Sequence, residues 1–288
     1  MSARERNAAS DEVEIAVAAG ARDGASPIWD AGGDTLLWTD RAAHTVHRYT
    51  PGGPNHSMQV PQQVSAAIPR SRGGLLLHLR EGVALFDAHG ERRYWLVYWA
   101  REGFGGGGSA VDRAGRLWAT TVHDDENGSG WLARISPEGA ASAVVNDLPA
   151  GNGLAAHPDG NQVFLADSSA HRIDVLDVHH ETGAVSGRRP WIDVGAEPAG
   201  LFVDAEDGVW VTLRDAGAVR HYTRDGALDR TIELPVQRPT GCCFGGPELT
   251  DLYVTSARDG LGQPSDDDGA LVVLPSAGEG VRTPSFAG

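Results

Sequence analysis

Short apolar segments alternate with glycine-centred turns along almost the whole chain. In each repeat, a strand-like segment with alternating apolar residues reaches a turn, and a second strand rich in aromatic or β-branched residues follows. Six copies begin with PIWDAGGDTLLWTD, AAIPRSRGGLLLHL, AVDRAGRLWATTV, GLAAHPDGNQVFLAD, LFVDAEDGVWVTL and CCFGGPELTDLYVTS. Their turn glycines are Gly33, Gly74, Gly115, Gly160, Gly208 and Gly246, at successive spacings of 41, 41, 45, 48 and 38 residues. A period of about 40 residues is typical of four-stranded propeller blades.

Helical periodicity is missing from the sequence. No long window places apolar residues at positions i, i+3, i+4 and i+7. We therefore predict an all-β fold, a six-bladed β-propeller with four-stranded blades. Residues 13–21 (VEIAVAAGA) read as a strand, and the sixth copy, which ends in residues 269–275 (GALVVLP), has room for that strand at its open edge. The prediction is one propeller domain over residues 12–288, closed by an N-terminal strand, with residues 1–11 disordered.

The charge of the chain limits its partners. Its 288 residues carry a formal net charge of −15, which disfavours nucleic acid and anionic membrane surfaces. No segment approaches the roughly 20 apolar residues of a membrane span, and residues 1–11 lack the apolar core of a signal peptide. We expect a cytoplasmic protein whose partner is a small molecule, with its oligomeric state open. Abundant Ala and Gly together with the absence of Lys indicate a bacterial source.

One face of the predicted disc collects the candidate binding residues. Because the first strand of each blade lines the channel and the second returns to the same face, strand starts and strand ends meet at one mouth. Residues entering the first strands are Ala25, Ser26, Ser65, Ala66, the glycines 105–108, Asn152, Pro198, Ala199 and Thr240. Residues leaving the second strands are Thr39, Asp40, His78, Arg80, His123, Asp124, Asp125, Asp167, Ser168, Arg214, Ser256 and Arg258.

Several segments carry a resemblance to a known family. They are PIWDAGGDTLLWTD, VDRAGRLWATT, NGLAAHPDGNQVFLADS, PAGLFVDAEDGVWVTL and RPTGCCFGGPELTDLYVTSAR. In order and spacing the chain resembles the family that joins gluconolactonases, senescence marker protein and luciferin-regenerating enzyme. The resemblance covers nearly the whole chain. It implies a six-bladed propeller that binds a divalent cation at the central mouth and hydrolyses lactones.

The resemblance also implies three metal ligands, of which this chain keeps one. The family's Glu in an E-G-P entry is missing, since that triplet begins with Ala25, and its Asp in P-D-G falls on Ala199. Only the Asn of the N-G pair is kept, as Asn152. A hard cation such as Ca²⁺ depends on carboxylate oxygens, so we expect no metal and no cofactor. Glu197 is the nearby replacement ligand, and alternation at a strand entry aims it elsewhere.

The four glycines at residues 105–108 occupy the place of the family's R-x-N-D segment, whose Arg and Asn lie near the substrate. A phosphate cradle needs glycines that lead into a helix N-terminus, and these lead into a strand. Two interpretations stay open. The glycines widen the mouth for a specific ligand, or they form a plain flexible approach to the third blade.

The remaining polar residues at the mouth supply the candidate chemistry. His123 and Asp124 are the predicted acid–base groups, and a solvated loop is the alternative. The predicted substrate-binding residues are Ser26, Trp99, Gly107, Asn152, Ala199 and Arg214. Arg214 would bind an anionic group of the substrate, and Trp99 would form one wall of an apolar pocket. The alternatives for these two are a surface arginine and a core tryptophan.

Together these features predict a metal-independent enzyme that acts on a small, largely apolar molecule in the central funnel. The expected reaction is a cyclisation or isomerisation in a biosynthetic pathway, because a rigid funnel accelerates such steps by positioning. Two other functions stay open: a non-catalytic small-molecule binding protein, and a cation-dependent lactone hydrolase that uses unrecognised ligands.

Overall fold

The computed structural model describes residues 12–98, 101–125 and 129–288, and these form an all-β structure with 24 strands. Within this described part, the strands make six four-stranded antiparallel sheets. The sheets are the blades of a six-bladed β-propeller, which confirms the predicted fold class. The described residues contain no helix that is long and apolar enough to cross a membrane.

The first half of the chain forms three blades, which follow a first strand that belongs to blade 6. Strand β1 spans Glu14–Val17. Blade 1 contains β2 (Gly24–Asp30), β3 (Thr35–Asp40), β4 (Thr45–Tyr49) and β5 (Asn55–Gln59). Blade 2 contains β6 (Val64–Pro69), β7 (Leu75–Leu79), β8 (Gly82–Phe86) and β9 (Arg92–Val97). Blade 3 contains β10 (Phe104–Val111), β11 (Leu117–His123), β12 (Gly130–Ile135) and β13 (Ala141–Leu148).

The second half forms the remaining blades. Blade 4 contains β14 (Gly151–Ala156), β15 (Gln162–Asp167), β16 (Arg172–Val178) and β17 (Val185–Asp193). Blade 5 contains β18 (Pro198–Val203), β19 (Val209–Leu213), β20 (Ala218–Tyr222) and β21 (Leu228–Glu233). Blade 6 contains β22 (Pro239–Gly245), β23 (Asp251–Ser256), β24 (Leu271–Leu274) and β1.

The sixth blade takes its outer strand from the start of the chain. Strand β1 pairs antiparallel with β24, so that Glu14 lies opposite Val273 and Ile15 opposite Val272. This pairing covers an edge of β24 that would otherwise be open, and it ties the two ends of the ring together. The predicted closure by an N-terminal strand is confirmed.

In blades 3 and 5, an Asp at the first turn binds a buried tryptophan of the following strand. In blade 3, the turn carboxylate of Asp112 accepts a 2.8 Å hydrogen bond from Nε1 of Trp118 in the following strand. In blade 5, Asp204 accepts the equivalent 2.9 Å bond from Trp210 and a 2.8 Å bond from the N–H of Gly208. The side chains of Trp118 and Trp210 are buried. Each Asp therefore fixes the turn and satisfies the polar atom of a core side chain.

The six inner strands β2, β6, β10, β14, β18 and β22 contact one another around the axis and line a central channel. They begin at one end, which we call the mouth, and finish at the lower end. The C-terminal segment, residues 276–288, crosses the lower end from blade 5 to blades 2 and 3. The N–H of Ala205 donates to Glu279 O, and the N–H of Phe286 donates to Pro69 O, with the Phe286 side chain buried.

Candidate functional site

A backbone hydrogen bond recurs in every blade at the mouth. The residue directly after the second strand donates its N–H to the carbonyl of the residue directly before the first strand. In the described chain the donors are Arg41, Arg80, Asp124, Ser168, Arg214 and Ala257. The acceptors are Asp23, Gln63, Gly103, Ala150, Glu197 and Arg238. We call these twelve positions the rim. Because this bond joins backbone atoms only, the six blades share it although their rim side chains differ.

Just inside the rim, the inner strands are irregular. Each of the six shifts register against its second strand within its first few residues, for example between Ala25 and Ile28 and between Pro198 and Leu201. The other shifts are Val64/Ala66, Gly106/Ser109, Gly151/Gly153 and Pro239/Gly241. A β-bulge breaks the alternation of side chains and re-aims them. The mouth is therefore the part of the channel where side-chain direction departs from a regular strand.

A small pocket lies on the axis among these bulges, with a volume of about 60 Å³. We call it the hub pocket. It brings together five predicted residues, namely Ser26, Gly107, Asn152, Ala199 and Arg214. Ala25 and Arg41 also line it. The structure thus collects most of the predicted binding residues at one place, and their contact with a substrate stays a prediction.

The polar side chains of the hub pocket supply few ligands for a divalent cation. The two positions at which the resemblance implies carboxylates are the buried Ala25 and Ala199. Asn152 donates its amide Nδ2 to Ser168 Oγ at 2.8 Å, and Ser168 in turn donates to Pro198 O at 2.6 Å. Among the described residues, no three His, Cys, Asp or Glu side chains converge as a metal site would require. That the hub binds no cation stays a prediction.

Arg41 and Asp23 form an ion pair at the edge of the hub. Nε and Nη2 of Arg41 donate to the two carboxylate oxygens of Asp23 at 2.8 and 3.0 Å. Burial raises the pKa of Asp23, and the charge and hydrogen bonds of Arg41 outweigh it, so that the pKa lies below its ordinary value. This bidentate geometry compensates the charge of Arg41 locally.

Arg214 is less well compensated. Its Nε is buried and has no hydrogen-bond partner among the residues that the structure describes. Oε1 of Glu197 lies 4.0 Å from that nitrogen, beyond hydrogen-bond distance. Burial, followed by repulsion from Arg41 and Arg238, lowers the pKa of Arg214. The hub therefore contains a largely buried guanidinium with an unmet donor.

Above the hub lies an open basin of about 630 Å³. Its described lining includes four carboxylates, two histidines and two arginines. These are Asp23, Asp124, Asp125, Glu197, His123, His171, Arg41 and Arg214. This polar lining differs from our expectation of walls suited to a largely apolar molecule. The apolar part of the channel is the separate cavity at the lower end, about 270 Å³ in volume, among Ile68, Val111 and Val203.

His123 and Asp124, the predicted acid–base pair, lie in the basin but are held by other partners. Asp124 forms a 2.6 Å ion pair with Arg80. Nδ1 of His123 accepts the N–H of Asp125 at 3.0 Å, and its ring meets Phe104 edge to face. In the neutral ring this bond leaves the proton on Nε2, which makes that nitrogen a donor rather than a base. A catalytic role for the pair stays a prediction, and these contacts do not favour it.

Close packing accounts for part of the glycine run, and whether the run also widens the mouth for a ligand stays a prediction. A Cβ on Gly106 would lie 2.5 Å from Ser65 Oγ, and one on Gly107 would lie 2.5 Å from Thr120 Oγ1. Both distances are too short, and the Cβ on Gly107 would also lie 2.7 Å from Gly151 O, so the inner strands β6, β10 and β14 approach this closely because these side chains are absent. Gly105 differs, since its Cβ would meet only the tip of the Gln63 side chain at 3.0 Å. Trp99, the predicted apolar wall, lies outside the described residues.

Sequence reasoning missed Arg41 and Asp23. In blade 1, the prediction for the end of the second strand included Asp40 but not the next residue, Arg41. The prediction for the start of the first strand began at Ala25 and so omitted Asp23. A signal was available in the repeat itself. Alignment of the six copies on the last residue of the second strand places Arg41 and Arg214 at the same position. Their pairing with rim carboxylates depends on contacts that no local pattern contains.

Comparison with known proteins agrees with the propeller fold. The family described as SMP-30/Gluconolactonase/LRE-like region matches residues 24–258. A 6-deoxy-6-sulfogluconolactonase from Pseudomonas putida is 32% identical over 244 residues, which cover 82% of this chain and 84% of that protein. Regucalcin from Xenopus laevis is 27% identical, over 97% of this chain and 99% of the relative. The crystal structure of a calcium-binding regucalcin from Agrobacterium tumefaciens superposes with a TM-score of 0.88 at 23% identity, covering 94% and 96% of the two chains.

Proposed function

Because the chain belongs to the SMP-30/gluconolactonase/LRE-like family, we propose that its mouth is the active site of a metal-independent enzyme for a small molecule. The hub pocket and the basin form one funnel on the propeller axis. Ring closure or isomerisation of a flexible substrate suits such a funnel. Holding two reacting groups of one molecule in contact supplies much of the rate enhancement of an intramolecular step.

The observation that carries the proposal is the charge of the described hub pocket lining, which contains two arginines and no carboxylate. Ala25 and Ala199 supply no carboxylate, and Arg41 and Arg214 line the same pocket. The poorly compensated guanidinium of Arg214 repels a divalent cation, and Asn152 is a single neutral ligand. A reaction that depends on a hub cation therefore finds little support in these side chains.

The basin offers groups for proton transfer and orientation. His171 is of the residue type suited to proton transfer, and the carboxylates of Asp23 and Glu197 would accept hydrogen bonds from substrate hydroxyl groups. We propose a substrate with polar groups in the basin, in place of the largely apolar molecule suggested by the sequence.

Lactone hydrolysis is the second candidate. The relative at 32% identity is named as a gluconolactonase, and lactone opening is the reverse of an intramolecular ring closure. A metal-independent form of this reaction needs a basin carboxylate to activate water. A metal-dependent form needs cation ligands other than the three positions of the related proteins.

Incubation with a substrate panel separates these functions. The panel contains small lactones, their open hydroxy acids and flexible precursors of cyclic products, each with EDTA and with added Ca²⁺, and products are identified by mass spectrometry and NMR. We expect turnover that EDTA leaves unchanged. Turnover that EDTA abolishes and Ca²⁺ restores contradicts the proposal and supports a cation-dependent lactonase.

Two asparagine variants provide a matched control. Asn152→Ala removes the hub amide and should lower turnover, whereas Asn161→Ala changes an exposed turn at the lower end and should not. If the folded protein retains a small molecule through purification and converts no member of the panel, the non-catalytic binding function is supported instead.

A further inference from the structure

We infer that the hub pocket binds an oxyanion of the ligand, a carboxylate, sulfonate or phosphate group, between Arg214 and Arg41. The inference rests on the proposed function only in taking the mouth as the binding site. It assigns a positive charge to the hub pocket, whereas a cation-binding centre carries negative ligands.

The pocket has the size and lining for such a group. Its volume of about 60 Å³ accommodates a few heavy atoms, so only the head of a ligand enters it, and the body stays in the basin. Arg41 and Arg214 are the charged residues in its described lining, and Ala25 and Ala199 add no competing carboxylate. A planar guanidinium fork matches the paired oxygens of a carboxylate.

Arg214 supplies an unpaired hydrogen-bond donor to the hub pocket. Its Nε is buried without a hydrogen-bond partner in the described structure, and Glu197 at 4.0 Å is too distant to accept from it. A buried, partly compensated charge is costly, and a ligand oxygen at that nitrogen removes the cost. Arg41 is already paired with Asp23, so Arg214 supplies the main hydrogen bonds to the ligand.

The surrounding rim favours an anion only on one side. Across blades 5, 6 and 1, the rim positions hold three arginines and two carboxylates in a chain of net charge −15, and the adjacent Asp40 carboxylate is occupied by the N–H groups of Arg22 and Asp23. The arginines are Arg214, Arg238 and Arg41, and the carboxylates are Glu197 and Asp23. On the other side of the basin lie Asp124 and Asp125. A ligand with its anion at the hub and hydroxyl or amine groups toward Asp124 and Asp125 matches this polarity.

The competing explanation is that Arg214 is structural and simply faces Glu197. The two explanations differ in the effect of Glu197→Gln. If Arg214 holds ligand, removal of the competing carboxylate strengthens anion binding and leaves the fold intact. If the pair is structural, the same substitution lowers the melting temperature and leaves anion binding unchanged or absent.

Calorimetry and thermal shift on the full chain test the inference. The probes are sodium benzoate, sodium methanesulfonate and sodium phosphate at constant ionic strength, with benzyl alcohol as the neutral control. We expect one site for at least one oxyanion and none for benzyl alcohol. Arg214→Gln should weaken that binding about tenfold or more, and Arg214→Lys should weaken it less. The preferred probe identifies the kind of oxyanion.

Arg224→Gln is the matched control, because Arg224 is an exposed arginine paired with Asp207 far from the mouth. It should bind the probe as the wild type does. If Arg214→Gln does not fold, Ala199→Asp places a carboxylate in the hub and should abolish binding while keeping Arg214.

Equal binding by wild type and Arg214→Gln, or no oxyanion binding by the folded wild type, overturns the inference. Turnover without oxyanion binding contradicts the inference but not the proposed function. Oxyanion binding without turnover contradicts the proposed enzyme but not the inference.

Discussion

The two ends of the central channel use the same six inner strands for different purposes. At the mouth, the strands begin with bulges and meet rim side chains such as Arg41 and Arg214. At the lower end, the strands have regular register, apolar side chains such as Ile68 and Val111 face a cavity, and the C-terminal segment crosses it. The bulged end is polar and open, and the regular end is apolar and covered.

This difference separates folding from function within single strands. The regular part of each inner strand alternates and packs, so its residues contribute buried apolar area. The bulged part is held by a backbone hydrogen bond at the rim, which places few demands on side chains. Substitutions at the lower end should therefore act mainly on stability. At the mouth, stability should depend on the few side chains that are paired or closely packed, such as Asp23 and the position of Gly106.

The largest effect is expected from Phe286→Ala at the lower end. Phe286 is 2% exposed and packs with Ile68 and Val111, so its truncation should cost about 3–5 kcal/mol of unfolding free energy. Denaturant unfolding measures this. Leu228→Ala, at an exposed side chain, is the control and should change little. A loss below about 1 kcal/mol for Phe286→Ala would mean that the C-terminal segment does not stabilise this end.

Asp23→Asn should give the next largest effect and the largest at the mouth. It leaves the largely buried Arg41 without its carboxylate, which should cost roughly 2–3 kcal/mol at neutral pH. Asp124→Asn is the control, because its exposed pair with Arg80 is worth less than about 1 kcal/mol.

The pH dependence of Asp23→Asn follows from the lowered pKa of Asp23. A carboxylate with a lowered folded-state pKa stabilises the fold above its unfolded pKa of about 3.9. The difference between wild type and variant should therefore be full near neutrality and shrink as the pH falls below about 4. A difference that persists unchanged in acid contradicts the ion pair.

Two glycine variants test whether the glycine run packs closely. Gly106→Ala forces a Cβ against Ser65 Oγ and should cost about 1–2 kcal/mol, since His78 lies on the same side, 2.8 Å from that position. Gly105→Ala meets only the movable end of Gln63 and should be nearly neutral. Equal unfolding free energies for both variants would restore the interpretation that the glycines only remove side chains from the mouth.

The smallest effect is expected from an attempt to rebuild a cation site. Ala25→Glu with Ala199→Asp supplies two carboxylates, and Arg214 then pairs with one of them. Adding Arg214→Gln should free that carboxylate and strengthen Ca²⁺ binding about tenfold over the double variant. Calorimetric titration with Ca²⁺ measures the change. Equal affinities would mean that Arg214 does not control the charge of the hub.

The fold was predictable because its signals are local. Turn glycines such as Gly115 and Gly208 recur with flanking alternation, and residues 13–21 had one free sheet edge to join. Asn152, Ala199 and Arg214 were placed at the mouth by counting from those turns.

The charge arrangement of the site was not predictable in the same way. The pairing of Arg41 with Asp23 depends on bulges and rim geometry that repeat length does not reveal. Gly106 and Gly107 show the same limit, since their packing partners Ser65 and Thr120 lie on other strands. Local pattern places a residue at the mouth, and tertiary contact decides what it touches.

Crystals soaked with 4-bromobenzoate test the oxyanion site most directly, because anomalous scattering locates the bromine. We predict a bromine peak in the basin and a carboxylate within hydrogen-bond distance of the Arg214 guanidinium. A carboxylate bound elsewhere, or a calcium ion held at the hub by carboxylates in parallel soaks with Ca²⁺, would contradict an anion-binding hub.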